Sequence, residues 1–477
     1  MLVLFRNAMT KKYKKNIELT IESIGFEGKA IARHNDKVHF IKKVVPGDVV
    51  EAYVRKKRKS YNEAGLVRLI EPGHERIDPR CAYFDDCGGC SWQNMNYTNQ
   101  LKWKKQHVID AFQRIGKIDT TILDVVPCSE EFNYRNKMDF TFSAKRWVTR
   151  KEVESGDEIE DKEFALGLHT PGAFEKVLDI KECHIHPKNG NQILDTVRKF
   201  ALENEISAFD KREKTGYLRE LIIRHSGSND DIIIVLTTNA TDEEHDAKVD
   251  ELARLLEEKI DANINFIHAI NAGPSPVNID SKRLIIGKEY LMDNILGVDF
   301  KVSPFSFFQT NRIQLNNFIQ KIIDSVELDE NMVAWDLYCG TGSIALPAAK
   351  RVKEMHGVEL VESSISDAKV NAELNGITNT TFQVADLHAK DTPELLDRLP
   401  KPDIIFIDPP RAGMHTNLVE HLLTVNAPKI VYVSCNPSTQ ARDCQLLGEK
   451  YKVVNVLPVD MFPQTYHIES IAVLERI

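Results

Sequence analysis

The sequence predicts an α/β protein of three domains: a small N-terminal β-barrel over residues 10–71, a central α+β domain over 72–300, and a C-terminal Rossmann-like domain with a parallel sheet over 301–477. Three observations predict it. The chain has 477 residues, and domains commonly run about 100–200. Short alternating segments separated by glycine and proline crowd the first 71 residues. From about residue 312 onward, apolar strand-like runs alternate with helical stretches, the pattern of βαβ units.

The barrel comes first. IELTIESIG, KAIARHNDKVHFIKK, DVVEAYVRKK and AGLVRLIEP alternate apolar and polar residues, and Gly25, Gly28, Pro46, Gly47 and Gly65 punctuate them. Several short strands at this spacing make a small barrel, an architecture that binds RNA on an exposed face. The run Arg55-Lys56-Lys57-Arg58-Lys59, followed by Tyr61, would supply phosphate contacts and a stacking ring. Read alone, it is a solvated lysine-rich turn.

The central domain opens on a glycine-rich loop with cysteines at 81, 87 and 90, followed by a helical stretch over 97–115. YRNKMDFTFSA, EFALGLHTP, GYLRELIIRHSG and DDIIIVLTTNA read as an antiparallel set, and KVDELARLLEEKI has helical periodicity. Residues 152–163 hold seven acids and one lysine and read as an exposed loop. In the C-terminal domain NMVAWDLY, EMHGVEL, TFQVADL, PDIIFIDPP and PKIVYVSCNP are the strands of a parallel sheet. The last 27 residues give two strands with no helix between them. A parallel sheet closed by such a hairpin is typical of methyltransferases that use S-adenosylmethionine.

Composition bounds the function. Hydrophobic residues make up 42% and charged residues 28% of the chain, which excludes a disordered, collagenous or rod-like protein. No apolar run approaches the roughly 20 residues that span a bilayer, so no membrane is expected. The start, MLVLFRNAMTKKYKK, puts apolar residues before lysines, the reverse of a secretory signal, and a cytoplasmic setting is expected. Nothing implies a protein partner. The net charge of -9 argues against nucleic acid until it is divided. Residues 1–59 hold 15 Lys/Arg against 6 Asp/Glu, a basic front end on an acidic body, which suggests an attached nucleic-acid-binding module.

The motifs that carry chemistry stand at strand ends. Asp336-Leu337-Tyr338-Cys339-Gly340-Thr341-Gly342 closes the first strand of the sheet. Gly340 and Gly342 allow a tight turn and close backbone approach to a ligand. Gly340 to Ala345 also fits the dinucleotide pattern G-x-G-x-x-G/A, which leaves a nicotinamide enzyme open. Glu359 lies 17 residues after Gly342, placed to accept from ribose hydroxyls. Asp336 favours S-adenosylmethionine, because a carboxylate there can hold the methionine ammonium. Asp386 can bond an adenine amino group. Asp408-Pro409-Pro410-Arg411 closes the fourth strand, where two prolines fix the backbone.

Ser434-Cys435-Asn436-Pro437 closes the fifth strand, at the rim where cofactor and substrate meet. Methylating nitrogen or oxygen needs no thiol. Pyrimidine C5 is a poor nucleophile, and a thiolate adding to C6 makes it an enolate-like carbon that takes a methyl group. A base must then remove the C5 proton so that the thiol can leave. Glu469 in His467-Ile468-Glu469 is the candidate base, with His467 as the fallback. Uracil and cytosine are not separated by this chemistry.

The set SPFSFFQTN (303–311), DLYCGTGSIAL (336–346), FIDPPRAGM (406–414), VYVSCNPST (431–439) and HIESIAVL (467–474) resembles the RNA uracil-5 methyltransferases of the RumA/TrmA family; YRNK (134–137) and the cysteine loop also match. The resemblance covers nearly the whole chain, including a TRAM-like, OB-like barrel at the front. It implies that Gln309, Tyr338, Glu359 and Asp408 contact S-adenosylmethionine, with Asp386 and Ser343 in reach. It also implies Cys435 as nucleophile, Glu469 as proton-abstracting base, and uracil over cytosine. Four thiolates, Cys81, Cys87, Cys90 and Cys183, suit either zinc or an iron–sulfur cluster by residue type. Their spacing resembles the 4Fe-4S site of the RumA branch, with a long span before Cys183 that the acidic loop 152–163 accounts for. By the same resemblance 23S ribosomal RNA is the expected partner, ahead of transfer RNA, and the target uridine flips into the site. The competing readings are a non-catalytic RNA-binding assembly factor, which leaves Cys435 and Glu469 without a purpose, and a nicotinamide oxidoreductase, which leaves DPPR and SCNP unexplained.

Overall fold

The structure, a computed structural model, describes residues 16–159, 161–172, 176–240, 243–273, 279–389 and 392–477. The first residues of the expected barrel, five basic residues of the front end (Arg6, Lys11, Lys12, Lys14 and Lys15) and Glu160 of the acidic loop lie outside them. Two compact units emerge. Of the described residues, one comprises those up to Asp85 with Gly89–His107 and Phe462–His467; the other comprises those of Asp86–Gly88, Val108–Met461 and Ile468–Ile477.

The first unit is built on a six-stranded sheet: β1 (Ile17–Thr20), β2 (Ser23–Ile24), β3 (Ala30–His34), β4 (Lys37–Ile41), β5 (Val49–Lys57) and β6 (Tyr61–Glu71), in the order β1-β5-β6-β4-β3-β2. The β3–β4 turn is made by Asn35 and Asp36, both with positive φ, the conformation a two-residue hairpin of right-handed twist requires. Alternate residues Leu19, Ala30, Ala32, Ile41, Val50 and Ala52 form its core. Asp48, fully buried, accepts from the Val45 amide at 2.7 Å and pairs with Arg76 at 2.5 Å, which ties the start of β5 to the segment after β6. The basic run Arg55–Lys59 lies exposed at the β5–β6 hairpin. The expected stacking ring, Tyr61, is half-buried, edge-on against Phe40 with centroids 5.3 Å apart.

Helix α1 (Tyr97–Asp110) ends in a π-turn over Ala111–Gly116, and β7 (Thr121–Ile122) follows. The central sheet of the second unit uses β8 (Lys137–Ser143), β9 (Ala165–His169), β10 (Val177–Asp179), β11 (Leu218–His225), β12 (Asp231–Thr238), β13 (Asn263–Ile270) and β14 (Ser281–Ile286), in the order β10-β9-β8-β11-β12-β13-β14. The strands through β12 are antiparallel, as expected, and only β12–β13 is parallel. Helices α2 (Arg150–Ser155), α3 (Lys188–Glu203) and α4 (Glu243–Lys259) accompany it. A hairpin, β15 (Leu291–Ile295) and β16 (Val298–Val302), leads toward α5 (Leu315–Asp324).

The C-terminal sheet contains β17 (Val333–Leu337), β18 (Glu354–Glu359), β19 (Thr380–Val384), β20 (Ile404–Ile407), β21 (Lys429–Ser434), β22 (Tyr451–Val459) and β23 (Glu469–Arg476). Helices α6 (Ala345–Ala349), α7 (Glu362–Leu374), α8 (Thr392–Leu396), α9 (Thr416–Val425) and α10 (Pro437–Leu447) make the crossovers. The order is β19-β18-β17-β20-β21-β23-β22-β7. Strands β17 to β21 are parallel, and β23 runs antiparallel between β21 and β22. The far edge is closed by β7, which pairs in parallel with β22. Ala111 and Phe112 of the π-turn pack into the same core as Trp335, Ile405, Tyr432 and Ala472. The sheet's strand order reverses between β17 and β20, and ligands of open α/β sheets bind outside the carboxyl ends at such a switch point.

Candidate active site

The register places the expected residues along one edge. Leu337 stands opposite Ile407, so Tyr338 and Asp408 leave β17 and β20 side by side, and the Asp408 amide donates to the Leu337 carbonyl at 3.3 Å. Ser434 stands opposite Ser470 across the antiparallel β21–β23 pair. The next residues outward are Cys435 and Glu469. Gln440 of α10, fully buried, bridges the Tyr432 carbonyl of β21 (2.7 Å) and the Ser470 carbonyl of β23 (3.0 Å), which pins the two strands where these residues emerge.

The turn after β17 is tight. The amides of Tyr338 and Cys339 both donate to the Val358 carbonyl, at 2.9 and 3.1 Å. Tyr338, Gly340 and Gly342 have φ of 66°, 54° and 87°. A non-glycine residue in that region costs about 1–3 kcal/mol, and such strain concentrates at ligand sites. Around Gly340 a side chain would meet nothing within 4 Å, so the backbone there faces open space. Glu359 braces the turn: its carboxylate accepts from the Gly340 amide at 3.2 Å and the Val361 amide at 3.0 Å. Ser343 is half-buried one residue beyond Gly342, and Asp386 is exposed after β19, accepting from the His388 amide at 2.8 Å.

Carboxyls line this edge of the sheet. Asp336 is buried, and neither of its oxygens has a hydrogen-bond partner of ordinary geometry. Burial and then the Asp408 charge push its pKa well up, with the Ala345 amide offsetting part of this and Glu359 adding to it. Asp408 is partly covered, yet enough protein surrounds it that desolvation raises its pKa to about 7. Glu469 is buried and pushed well above the usual carboxylate range by desolvation and then by Asp408, against an opposing pull from Arg411. The half-buried Cys435 thiol is raised to about 11 by burial and then Glu469; Arg411 lowers it and Asp408 raises it. A buried carboxyl beside Asp408 and Glu359 has the chemistry to hold a cationic ligand, whose charge would favour ionisation of its neighbours.

Gln309 lies off the sheet, on the 303–311 segment, half-buried, with its carbonyl held by the Asn136 amide group at 3.1 Å. Phe307 beside it is 72% exposed, a large apolar ring left in water. His467 belongs to the first unit, where its ring packs on Tyr466 with centroids 4.1 Å apart. Cys81 and Cys90 belong to the first unit, Cys87 and Cys183 to the second, and all four are half-buried. Among the described residues no group of three or more His, Cys, Asp or Glu is arranged to hold a metal ion. Four thiol side chains outside the core have the donor chemistry of a cluster. Cys128, Cys339 and Cys444 are buried.

Sequence reasoning missed two features. Arg411 follows two prolines, and its charge favours the ionised forms of both Cys435 and Glu469. His388 stacks on His415 with centroids 5.6 Å apart and meets Tyr338 edge-on at 6.2 Å. A polar cavity of about 320 Å³ lies elsewhere in the second unit, lined by Glu130, Lys188, His225, Asp230, Asp231 and Arg312, and includes none of the residues expected from sequence.

A parallel sheet closed by a reversed strand, with acids at its switch point and a cysteine beside a carboxyl, defines a methyltransferase-type site. Residues 224–477 match the tRNA (Uracil-5-)-methyltransferase family. The chain is 40% identical to an RNA methyltransferase of Bacteroides thetaiotaomicron over 94% of its own length and 99% of that protein. It is 35% identical to an RNA methyltransferase of Chlorobaculum tepidum over 98% of each. Among solved structures it resembles the Pyrococcus abyssi tRNA (uracil-54, C5)-methyltransferase in complex with S-adenosyl-L-homocysteine, with a TM-score of 0.72 and 25% identity over 96% of this chain and 100% of that one. The chain belongs to the RNA uracil-5 methyltransferase family. Among the described residues no helix is long and apolar enough to cross a membrane.

Proposed function

We propose that this protein methylates C5 of uridine in RNA, using S-adenosylmethionine, with 23S ribosomal RNA as substrate in a cytoplasmic setting. The observation that carries the reading is the emergence of Cys435 and Glu469 from paired strands beside Asp408. Asp336, Glu359, Asp408 and the Gly340–Gly342 turn would hold the cofactor, with Gln309, Tyr338, Ser343 and Asp386 around it. When bound, S-adenosylmethionine supplies an electrophilic methyl group. The protein's part is nucleophilic and basic. Cys435 gives its proton to solvent and its sulfur bonds to C6 of the flipped uracil, so that C5 would take the methyl group as the cofactor's sulfonium sulfur releases it. Glu469 takes the C5 proton, the C5–C6 double bond re-forms and the sulfur leaves as thiolate. The exposed ring of Phe307 suits stacking on an unpaired base. The basic β5–β6 hairpin of a TRAM-like domain over 10–71 would grip phosphates.

Asp408 gives a pH signature. A carboxyl whose pKa is about 7 in the fold contributes stability that is full below its unfolded pKa and lost as pH rises through about 7. Melting of the cofactor-free protein should therefore fall between pH 6 and pH 8 more than melting of Asp408→Asn. Affinity for the cationic cofactor should move the other way, rising by up to about tenfold over that range as Asp408 ionises. Calorimetric titration at both pH values checks the sign, and affinity that falls with pH would remove Asp408 from the cofactor site.

We assign Cys81, Cys87, Cys90 and Cys183 to a structural, RNA-facing 4Fe-4S cluster, with zinc as the other occupant of four thiolates. Lys43 holds the Cys90 carbonyl at 3.0 Å and caps the Phe84 ring at 3.8 Å, so the loop carries a fixed cation. Anaerobically purified protein should be brown and contain iron; a colourless sample containing zinc overturns the assignment.

The likeness to a tRNA enzyme supports a second reading, with transfer RNA as substrate. Unmodified ribosomal and transfer RNA, each incubated with protein and methyl-labelled cofactor and then digested, separate the two. Labelled 5-methyluridine from 23S RNA supports the proposal, label in transfer RNA alone moves the substrate to the second reading, and no labelled nucleoside overturns both.

A further inference from the structure

We infer that Arg224 is a positioning residue for RNA: its buried guanidinium grips the turn Ser303–Ser306 by two backbone carbonyls and so presents the Phe307 ring outward. The inference rests on the reading that this protein methylates RNA and that Phe307 meets an unpaired base.

Arg224 is the next-to-last residue of β11, a strand paired on both sides. Its backbone stands opposite Lys137 of β8 and Ile233 of β12, so the base of the side chain is fixed by two neighbours. The strand around it reads Leu221-Ile222-Ile223-Arg224-His225, and all five residues are buried. Arg224 itself is 2% exposed. Desolvation pushes its pKa down to about 10, and Asp139 and Asp293 act on it by charge alone, without a hydrogen bond. At neutral pH it stays a cation. An apolar side chain of similar volume would fill this place at lower cost, so the charge is kept for what it holds.

It holds two carbonyls. Nη1 donates to the Ser303 oxygen at 2.6 Å and Nη2 to the Ser306 oxygen at 3.0 Å. One planar fork thus spans the turn, a geometry that the single ammonium of a lysine does not reproduce. The turn is also closed on itself. The Ser306 amide donates to the Ser303 hydroxyl oxygen at 3.2 Å, and the Ser306 hydroxyl donates to the Ser303 carbonyl at 3.1 Å. Pro304 between them restricts the backbone.

The grip sets the direction of the rings. Residues 303–310 belong to no strand or helix, so side-chain donors stand in for a ladder. Phe305 and Phe307 are exposed, Ser306 between them is half-buried, and Phe308 is buried against Phe300 with ring centroids 5.8 Å apart. Phe307 therefore lies between two inward anchors, the Ser306 carbonyl on Arg224 and the Phe308 ring on Phe300. The rest of the segment is held separately: the Asn136 side-chain amide donates to the Gln309 carbonyl at 3.1 Å, and the Asn136 backbone amide donates to the Thr310 carbonyl at 2.8 Å. Arg224 thus serves the half that carries the exposed rings, and Asn136 the half that carries the expected cofactor ligand. A ring fixed before RNA arrives spares the ordering entropy that binding would otherwise cost.

Two measurements test this. Chymotrypsin cuts after phenylalanine, and cutting needs several residues to leave the fold together. In Arg224→Met, cleavage of the full chain at Phe305 and Phe307 should rise about tenfold, with cleavage elsewhere unchanged. Arg224→Lys, which keeps the charge without the fork, should fall between that variant and the unchanged protein. Steady-state methylation of 23S or transfer RNA, whichever is labelled, reads the consequence. KM for RNA should rise about tenfold in Arg224→Met, while kcat and cofactor affinity stay within about threefold. In a Phe307→Ala background the same substitution should raise KM by less than about twofold, because the ring it positions is gone. A residue that merely stabilises the fold would raise cleavage throughout the chain and cost the same factor in both backgrounds, and either result overturns the inference. Unchanged cleavage at Phe305 and Phe307 overturns it as well. Should Arg224→Met not fold, Arg224→Lys carries both comparisons. Failure of the methylation reading would appear separately, as an unchanged protein that labels no RNA while cleavage at Phe305 and Phe307 still depends on Arg224.

Discussion

Cys435→Ala should lose methyl transfer by on the order of 10⁴-fold or more, because no other route makes C5 nucleophilic and removing a covalent nucleophile removes the whole pathway. Cofactor binding should be unchanged. The thiol lies at the end of β21, while the carboxyls and the glycine turn expected to hold the cofactor end β17, β18 and β20. Its neighbour Ser434 is held by the β21–β23 pairing, so removal of the sulfur leaves the sheet intact. Single-turnover methylation and calorimetric cofactor titration of the same preparation check both halves. Methylation within tenfold of the unchanged protein would return Cys435 to the buried structural cysteines.

Glu469→Gln should separate bond formation from release. Its carboxyl is buried beside Asp408, and each raises the cost of charge on its neighbours. A cation bound at Asp336 and Asp408 would relieve that repulsion and free Glu469 to ionise, so the cofactor site would arm the base. The glutamine variant keeps the shape and cannot accept the C5 proton. Sulfur addition and methylation should proceed, then stall, leaving methylated RNA bound to the protein through SDS while multiple turnover falls by about 10²–10⁴-fold. Release at the normal rate would move the base elsewhere, with His467 the first to examine.

The strands that carry the candidate site are legible in the sequence, for a physical reason. Parallel strands buried on both faces are continuous apolar runs, so NMVAWDL, PDIIFI and PKIVYVS announce their own ends, and the acids and the cysteine sit at those ends. The antiparallel central strands were legible by the same logic. Three things were not. Strand β7 has two residues and pairs with a strand more than 300 residues later, so no local pattern marks it. The joint behaviour of Asp408 and Glu469 depends on a strand reversal that brings together groups 61 residues apart. Arg411 is an exposed arginine after two prolines, and only the packing of α10 on its loop shows that its backbone carbonyl is held by Asn436 and Thr439.

The central claim is that Cys435 bonds to C6 of a uracil while C5 is methylated, and RNA carrying 5-fluorouridine tests it most directly. Fluorine cannot leave as a proton, so the reaction should stop at a covalent complex after methylation. Incubated with S-adenosylmethionine and digested with nuclease and protease, the protein should yield one peptide, spanning Cys435, that carries a methylated fluorouridine. A complex on a different cysteine, or none with RNA that is otherwise methylated, would contradict the account.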